Sequence, residues 1–223
     1  MRRVHAGGCG LALCLALVAG GSARIAHAAG HEAAIADRFV LDVALTIAPQ
    51  LSDTARQTLI AESERIWGRE GVFLRWHVAG DAVRPPHGAF RVLVIARTAM
   101  PPSERSWVVG ELVRLADARA LAIASITGAR RVLDEARRHS LVHAIPPEDY
   151  RLGLVLGRAL AHEIGHYLLD TRTHSTYGLM RAGIDPREFA DVRAAAAFLL
   201  DEDASRSMRA RRALLVGLQL NAE

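Results

Sequence analysis

Hydrophobic and polar positions first take on a clear rhythm at residue 39. Phe39–Ile47 (FVLDVALTI) is apolar and β-branched with Asp42 as its only charge, which predicts a largely buried strand ended by Pro49. Ser52 or Asp53 is placed to cap a helix reaching about residue 69, with Leu59, Ile60, Ile66 and Trp67 near helical spacing and Gly71 closing it. Val72–Val78 then sets Val72, Leu74 and Trp76 against Phe73, Arg75 and His77, the two-residue period of a strand. A third strand over residues 90–96 follows the Pro85-Pro86-His87-Gly88 loop, so the segment reads β-α-β-β.

Beyond it the pattern loosens. Residues 99–119 contain Pro101-Pro102 and an apolar stretch from Trp107 to Leu115 compatible with strand or helix, and the reading stays open there. Residues 120–127 (ALAIASIT) read as a short strand stopped by Gly128. Pro146-Pro147-Glu148 opens a long helix. After it come an irregular loop through Gly183, a short helix opened by Asp185-Pro186, an Ala-rich helix toward Leu200 and a last helix over residues 205–218. No internal repeat breaks this order.

The N-terminus changes what counts as the folded chain. Met1-Arg2-Arg3, an apolar stretch from about Ala6 to Ala19 and the small-x-small triplet Ala26-His27-Ala28 predict a signal peptide over residues 1–28 and export to a secreted or periplasmic location. Residues 29–223 then suffice for one domain with a real core. Removing Arg2, Arg3 and Arg24 takes the 28 basic residues to 25 against 24 acidic ones, which takes away the electrostatic case for nucleic acid. No later stretch is apolar and uncharged enough for stable membrane insertion. Cys9 and Cys14 both fall in the signal, so no thiol is expected for a disulfide, catalysis or metal binding.

Chemistry concentrates in the long helix. His162-Glu163-Ile164-Gly165-His166 puts two imidazoles four residues apart, on one helical face and about one turn apart, where they can chelate one ion. Zinc suits neutral imidazoles, and a catalytic site takes three protein ligands and leaves a position for water. Glu163 is then the expected general base, taking a proton from that water and returning it to a leaving amine. Leu154, Leu156, Ala159, Leu160, Ile164, Leu168 and Leu169 supply the apolar surface around the pair. His174, eight residues after His166, is the best third ligand, with Glu188 and Asp191 as carboxylate rivals. Asp170 reads either as a partner for a ligand imidazole or as a helix-end residue. Tyr150 and Tyr177 read as packing residues with a hydroxyl at the rim, and His77, His87, His139 and His143 as isolated. Trp67, Trp76 and Trp107 read as core.

The segment HEIGHYLLDTRTHSTYGLM resembles the zinc-binding helix and methionine turn of metzincin-type peptidases. The resemblance is specific over about residues 159–181. It implies an α+β fold in a single domain, a twisted mixed sheet packed on two long helices, the second carrying the motif. A substrate-binding edge strand and a C-terminal helical subdomain are implied as well. It makes His162, His166 and His174 ligands of one catalytic Zn2+, Glu163 the base, and Met180 the turn methionine, with Gly178-Leu179-Met180 as a floor beneath the metal. The expected activity is that of a metalloendopeptidase acting on peptide or protein substrates. The family pattern has Gly three residues after the second His and the third His three residues later, and here those positions are Leu169 and Arg172. A non-catalytic zinc-binding protein, and a zinc hydrolase acting on a non-peptide amide or ester, are the competing readings.

Overall fold

A computed structural model describes residues 39–96, 109–115, 120–138 and 146–220. The expected signal peptide with Cys9 and Cys14, and also Trp107, His139 and His143, lie outside the described residues. Those described form an α+β arrangement built on a five-stranded, mostly parallel sheet. Its strands are β1 (Phe39–Ile47), β2 (Val72–Val78), β3 (Phe90–Ile95), β4 (Gly110–Arg114) and β5 (Ala120–Ser125), in the order β2-β1-β3-β5-β4. β1 pairs in parallel with β2 (Phe39 with Val72) and with β3 (Val43 with Phe90), and β3 in parallel with β5. Only β4 runs antiparallel, Gly110 facing Ala124 and Arg114 facing Ala120 at the sheet edge.

One face of this sheet is the core face. Leu41, Val43 and Leu45 of β1, Val72 and Leu74 of β2 and Val92 and Val94 of β3 are buried there, and β5 presents only Ala120, Ala122 and Ala124. Those small side chains let a helix lie close to β5. The helices are α1 (Asp53–Gly68), α2 (Ile126–Arg138), α3 (Glu148–Leu168), α4 (Pro186–Ala190) and α5 (Glu202–Leu220), with a 3-10 helix at Val192–Phe198. As expected, Ser52 caps α1, accepting from the Ala55 N–H at 3.2 Å, and Gly71 beyond its end has φ 71°.

α1 and α3 are locked together by their backbones. A Cβ on Gly153 would fall 2.4 Å from the Ala55 carbonyl oxygen, and one on Gly157 would fall 2.8 Å from that of Leu59, so glycine allows the close crossing. Across the contact the Ser63 hydroxyl donates to the Gly157 carbonyl at 3.2 Å and the Trp67 indole N–H to that of Ala161 at 3.1 Å. These bonds fix the height at which α3 stands over the sheet, one residue before His162.

Three expectations need correction. Residues 120–127 do not form one strand stopped by Gly128: β5 ends at Ser125, whose hydroxyl oxygen accepts the Gly128 N–H at 3.0 Å and starts α2. α2, not expected as a helix, buries Ile126, Ala129, Val132, Leu133 and Ala136, a stripe of small and aliphatic residues at helical spacing. The Ala-rich segment is a 3-10 helix, with the Asp191 carboxylate accepting the Arg193 N–H at 2.9 Å. Within the open 99–119 stretch, Gly110–Arg114 is strand, and among the described residues the chain after the long helix forms helices and loops, with one isolated bridge between Ser175 and Arg181. No helix among the described residues is long and apolar enough to cross a membrane.

Candidate metal centre

α3 begins behind Pro147 with Glu148 and Asp149 in its first turn, where carboxylates offset the positive end of the helix dipole. It runs 21 residues and delivers His162, Glu163 and His166 near its other end, beneath edge strand β4. The chain leaves α3 through Asp170, a non-glycine residue at φ 51°. Its carboxylate takes Arg114 Nη1 at 2.7 Å while Arg114 Nη2 donates to the His166 carbonyl at 3.1 Å. Of its two expected roles, Asp170 therefore has the helix-end one.

Three imidazoles converge after this turn. His166 Nε2 lies 3.0 Å from His162 Nε2 and 3.3 Å from His174 Nε2. The rings of His162 and His174 are near-parallel at 5.3 Å, with that of His166 edge-on to both. The outer nitrogens decide what the inner ones can do. His162 Nδ1 stands 2.7 Å from the Leu179 carbonyl oxygen and His166 Nδ1 2.9 Å from that of Thr171. A carbonyl oxygen only accepts, so both Nδ1 atoms carry hydrogen, and in the neutral rings both Nε2 atoms are bare lone pairs. Two lone pairs facing at 3.0 Å repel unless a cation lies between them.

A proton is a poor cation here. Burial, before any other cause, pulls the His162 imidazole down to about 4, against the rising influence of the Leu179 carbonyl and with further lowering by His166 and His174. The His166 imidazole is lowered too, mainly by burial. Nitrogens bound to one tetrahedral ion at about 2.0–2.1 Å stand about 3.3 Å apart, which fits the observed separations. The three ligating atoms lie within 4.8 Å of one another, and the cluster can hold a metal ion. The rivals are engaged elsewhere. Glu188 makes a two-pronged pair with Arg181 at 3.0 and 3.1 Å, and Asp191 caps the 3-10 helix.

No protein-family model matches the chain, and neither does any curated protein.

The surroundings divide between a floor and a cleft. Leu179 and Met180, both buried, form the floor: the Leu179 carbonyl holds His162, and the Met180 sulfur packs against Gly165. Gly178, at φ 73°, sits so close to the Leu199 carbonyl that a Cβ would fall 2.5 Å from it. Above the imidazoles opens a cleft of about 800 Å³ between β4 and the loop after Met180. Glu163, 7% exposed, lies along it, with the Gly110 backbone so close that a Cβ there would meet its carboxylate at 2.8 Å. Burial, and then the nearby Glu111, push the Glu163 carboxyl up to about 7.

Tyr150 and Tyr177 are surface residues, and neither is among the described residues that line the cleft. His77 pairs with Asp42 at 2.7 Å and His87 is exposed, both away from the imidazole cluster. Trp67 is core, as expected, and also supports Gly165 from below. Sequence reasoning missed Arg114, Gly110 and Glu111, whose strand had no clear period. It also missed Thr171, which acts through a carbonyl that every residue type carries.

Proposed function

We propose that this chain is an exported zinc-dependent metallopeptidase in which His162, His166 and His174 hold one zinc ion and Glu163 is the general base. The observation carrying the metal is the pair of bare Nε2 atoms facing each other at 3.0 Å, with both Nδ1 hydrogens committed to carbonyls. Zinc fits this donor set, three imidazoles with room for a water, better than harder cations that prefer oxygen. When bound, it lowers the pKa of a coordinated water to roughly 7 and polarises a carbonyl.

The remaining work falls to the chain. Glu163, held near neutrality at about 7, is poised to take a proton at its carboxylate and release it again to a leaving amine. Its burial against Gly110 limits its rotamers and keeps water from solvating the charge. β4 supports a peptide over a small amide: it lines the cleft along Gly110–Arg114, and among the described residues no strand pairs with its outer edge. An extended peptide can add there as a further strand and bring its carbonyl over Glu163. Arg114 ties that strand to the end of α3, so strand and base move together.

A non-catalytic zinc protein is disfavoured by ligand count. A structural site closes with four protein ligands, and the cluster among the described residues has three. The deciding experiment is metal analysis of purified protein together with a peptide-library digest by the wild type and by Glu163→Gln. One zinc per chain, cleavage by the wild type and none by the variant are expected. A chain that takes up no zinc sinks the reading. Zinc uptake with no peptide cleaved would move it to a non-peptide amide or ester.

A further inference from the structure

The β4 wall of the cleft carries a charge that the proposed chemistry does not use. Glu111 follows Gly110 in β4, pairs with Ile123 of β5 and lines the cleft. It is half-buried, and among the described residues its carboxylate has neither a hydrogen bond nor an ion pair. A Cβ on Gly110 would fall 2.8 Å from Glu163 Oε1, so that position faces the helix. Successive residues of a strand point to opposite sides, and Glu111 therefore leaves the strand on the side away from α3, where solvent still reaches it.

Its electrostatic setting is unbalanced. Glu163, 7% exposed and itself without a hydrogen-bond partner among the described residues, is near enough for the two carboxylates to repel: after burial, Glu111 is the second cause of the raised Glu163 carboxyl. The guanidinium groups that line the same cleft are engaged elsewhere. Arg114 is held by Asp170 and the His166 carbonyl, Arg158 by Glu62 and Arg181 by Glu188. Arg172, the remaining one among the described residues, is exposed in the loop after α3 and makes no ion pair with Glu111. A half-buried carboxylate beside a second carboxylate, with no cation against either, lacks the partner that such groups ordinarily have.

We propose that Glu111 is a specificity residue whose carboxylate receives a cationic group of the bound peptide, guanidinium or ammonium, close to the scissile bond. This rests on the peptidase reading for the nature of the ligand. A peptide added to the outer edge of β4 sets its side chains about 4.5–5.5 Å from those of the strand residues directly opposite, within reach of a Glu111 ion pair. Arginine meets a carboxylate with two parallel N–H donors and lysine with a single point charge. A glutamine side chain supplies a donor without the charge, and glutamate would add a third carboxylate.

The test measures binding separately from cleavage. Zinc-loaded Glu163→Gln protein, in which Glu111 is the carboxylate that remains, is titrated by fluorescence anisotropy with labelled, N-acetylated and C-terminally amidated peptides. These differ at one position, Arg, Lys, Gln or Glu, placed in turn at the two residues on either side of the central bond. Arg or Lys at one position is expected to bind about fivefold more tightly than Gln, and Glu more weakly than Gln. A Gln peptide with a free N-terminal amine identifies the terminus as the source if it alone binds more tightly. The preference should vanish when Glu111→Gln is added and turn toward the Glu peptide when Glu111→Arg is added instead. Equal binding of the Arg, Lys and Gln peptides with either N-terminus, no binding of any, or a basic preference that persists in both added variants overturns the proposal. If the basic preference is found while the zinc-loaded wild type cleaves nothing, the peptidase reading fails and the cation site stands. Cleavage by the wild type without that preference leaves the peptidase reading and removes Glu111 from it.

Discussion

Gly165 and Met180 share one space: a Cβ built on Gly165 would fall 2.4 Å from the Met180 sulfur. The glycine between Glu163 and His166 is thus the place where the floor beneath the cluster touches the helix that carries it. Gly165→Ala is expected to destabilise the fold by about 1–3 kcal/mol through overpacking. Met180→Ala should cost about 2–5 kcal/mol through a cavity. The two should not add, because removing the sulfur makes room for the new methyl. Urea denaturation of both single variants and the double variant measures the coupling, and additive losses would mean that the contact does not bear on stability.

His174 differs from its two partners in burial. It sits exposed on a loop, while His166 is buried in α3. His174→Ala should therefore leave the chelator-treated protein within about 0.5 kcal/mol of the wild type, as expected for a surface substitution, yet lose stoichiometric zinc. Metal analysis and melting curves run side by side check this. Full zinc retention in the variant would remove His174 from the ligand set.

Glu163 and His162 pull stability in opposite directions with pH once metal is chelated. His162 has its folded pKa depressed to about 4 from 6.5, so the unfolded chain binds the proton more readily and stability is lost as pH falls from about 6.5 to about 4. Glu163 has its folded pKa raised to about 7 from 4.5, so its contribution is complete below about 4.5 and is lost as pH rises to about 7. The two nearly cancel in the wild type. Glu163→Gln deletes the second effect, so its stability advantage should grow between about pH 4.5 and 7 to at most on the order of 3 kcal/mol. Denaturation curves from pH 5 to 8 that stay parallel for the two proteins would contradict it.

Arg114 joins the edge strand to the carbonyl end of α3 by way of His166 and Asp170. Arg114→Met should cost about 1–2 kcal/mol, since charged hydrogen bonds are lost from a partly exposed site. Its larger effect should be on peptide binding, because β4 would no longer be held at a fixed distance from Glu163. A several-fold rise in KM with kcat less affected is expected in the peptide assay. A change confined to kcat would indicate that Arg114 acts on the reacting groups instead.

Much of this was legible along the chain. β1 and β2 have the bounds their residues suggested, because apolar runs and two-residue alternation are local signals that burial on one sheet face enforces. The His162/His166 spacing determines a shared helical face whatever the fold around it, and Ser52 announces its helix by a bond made three residues away. β4 was not legible. Its five residues, GELVR, form a strand because β5 offers an edge, and nothing within them requires it. α2 was obscured by Gly128, which reads as a stop yet lies within the first turn that Ser125 caps.

For the metal centre the division falls inside single residues. Sequence alone determined which imidazoles and which carboxylate were available, because donor chemistry belongs to the side chain. Tertiary structure alone decided that His174 joins them while Glu188 and Asp191 do not, and that the carbonyls of Thr171 and Leu179 set which nitrogens of His166 and His162 face one another. It also brought Arg158 to Glu62 across 96 positions. Carbonyls carry no residue signature, and pairings over such separations depend on how helices pack, so neither can be read from local pattern.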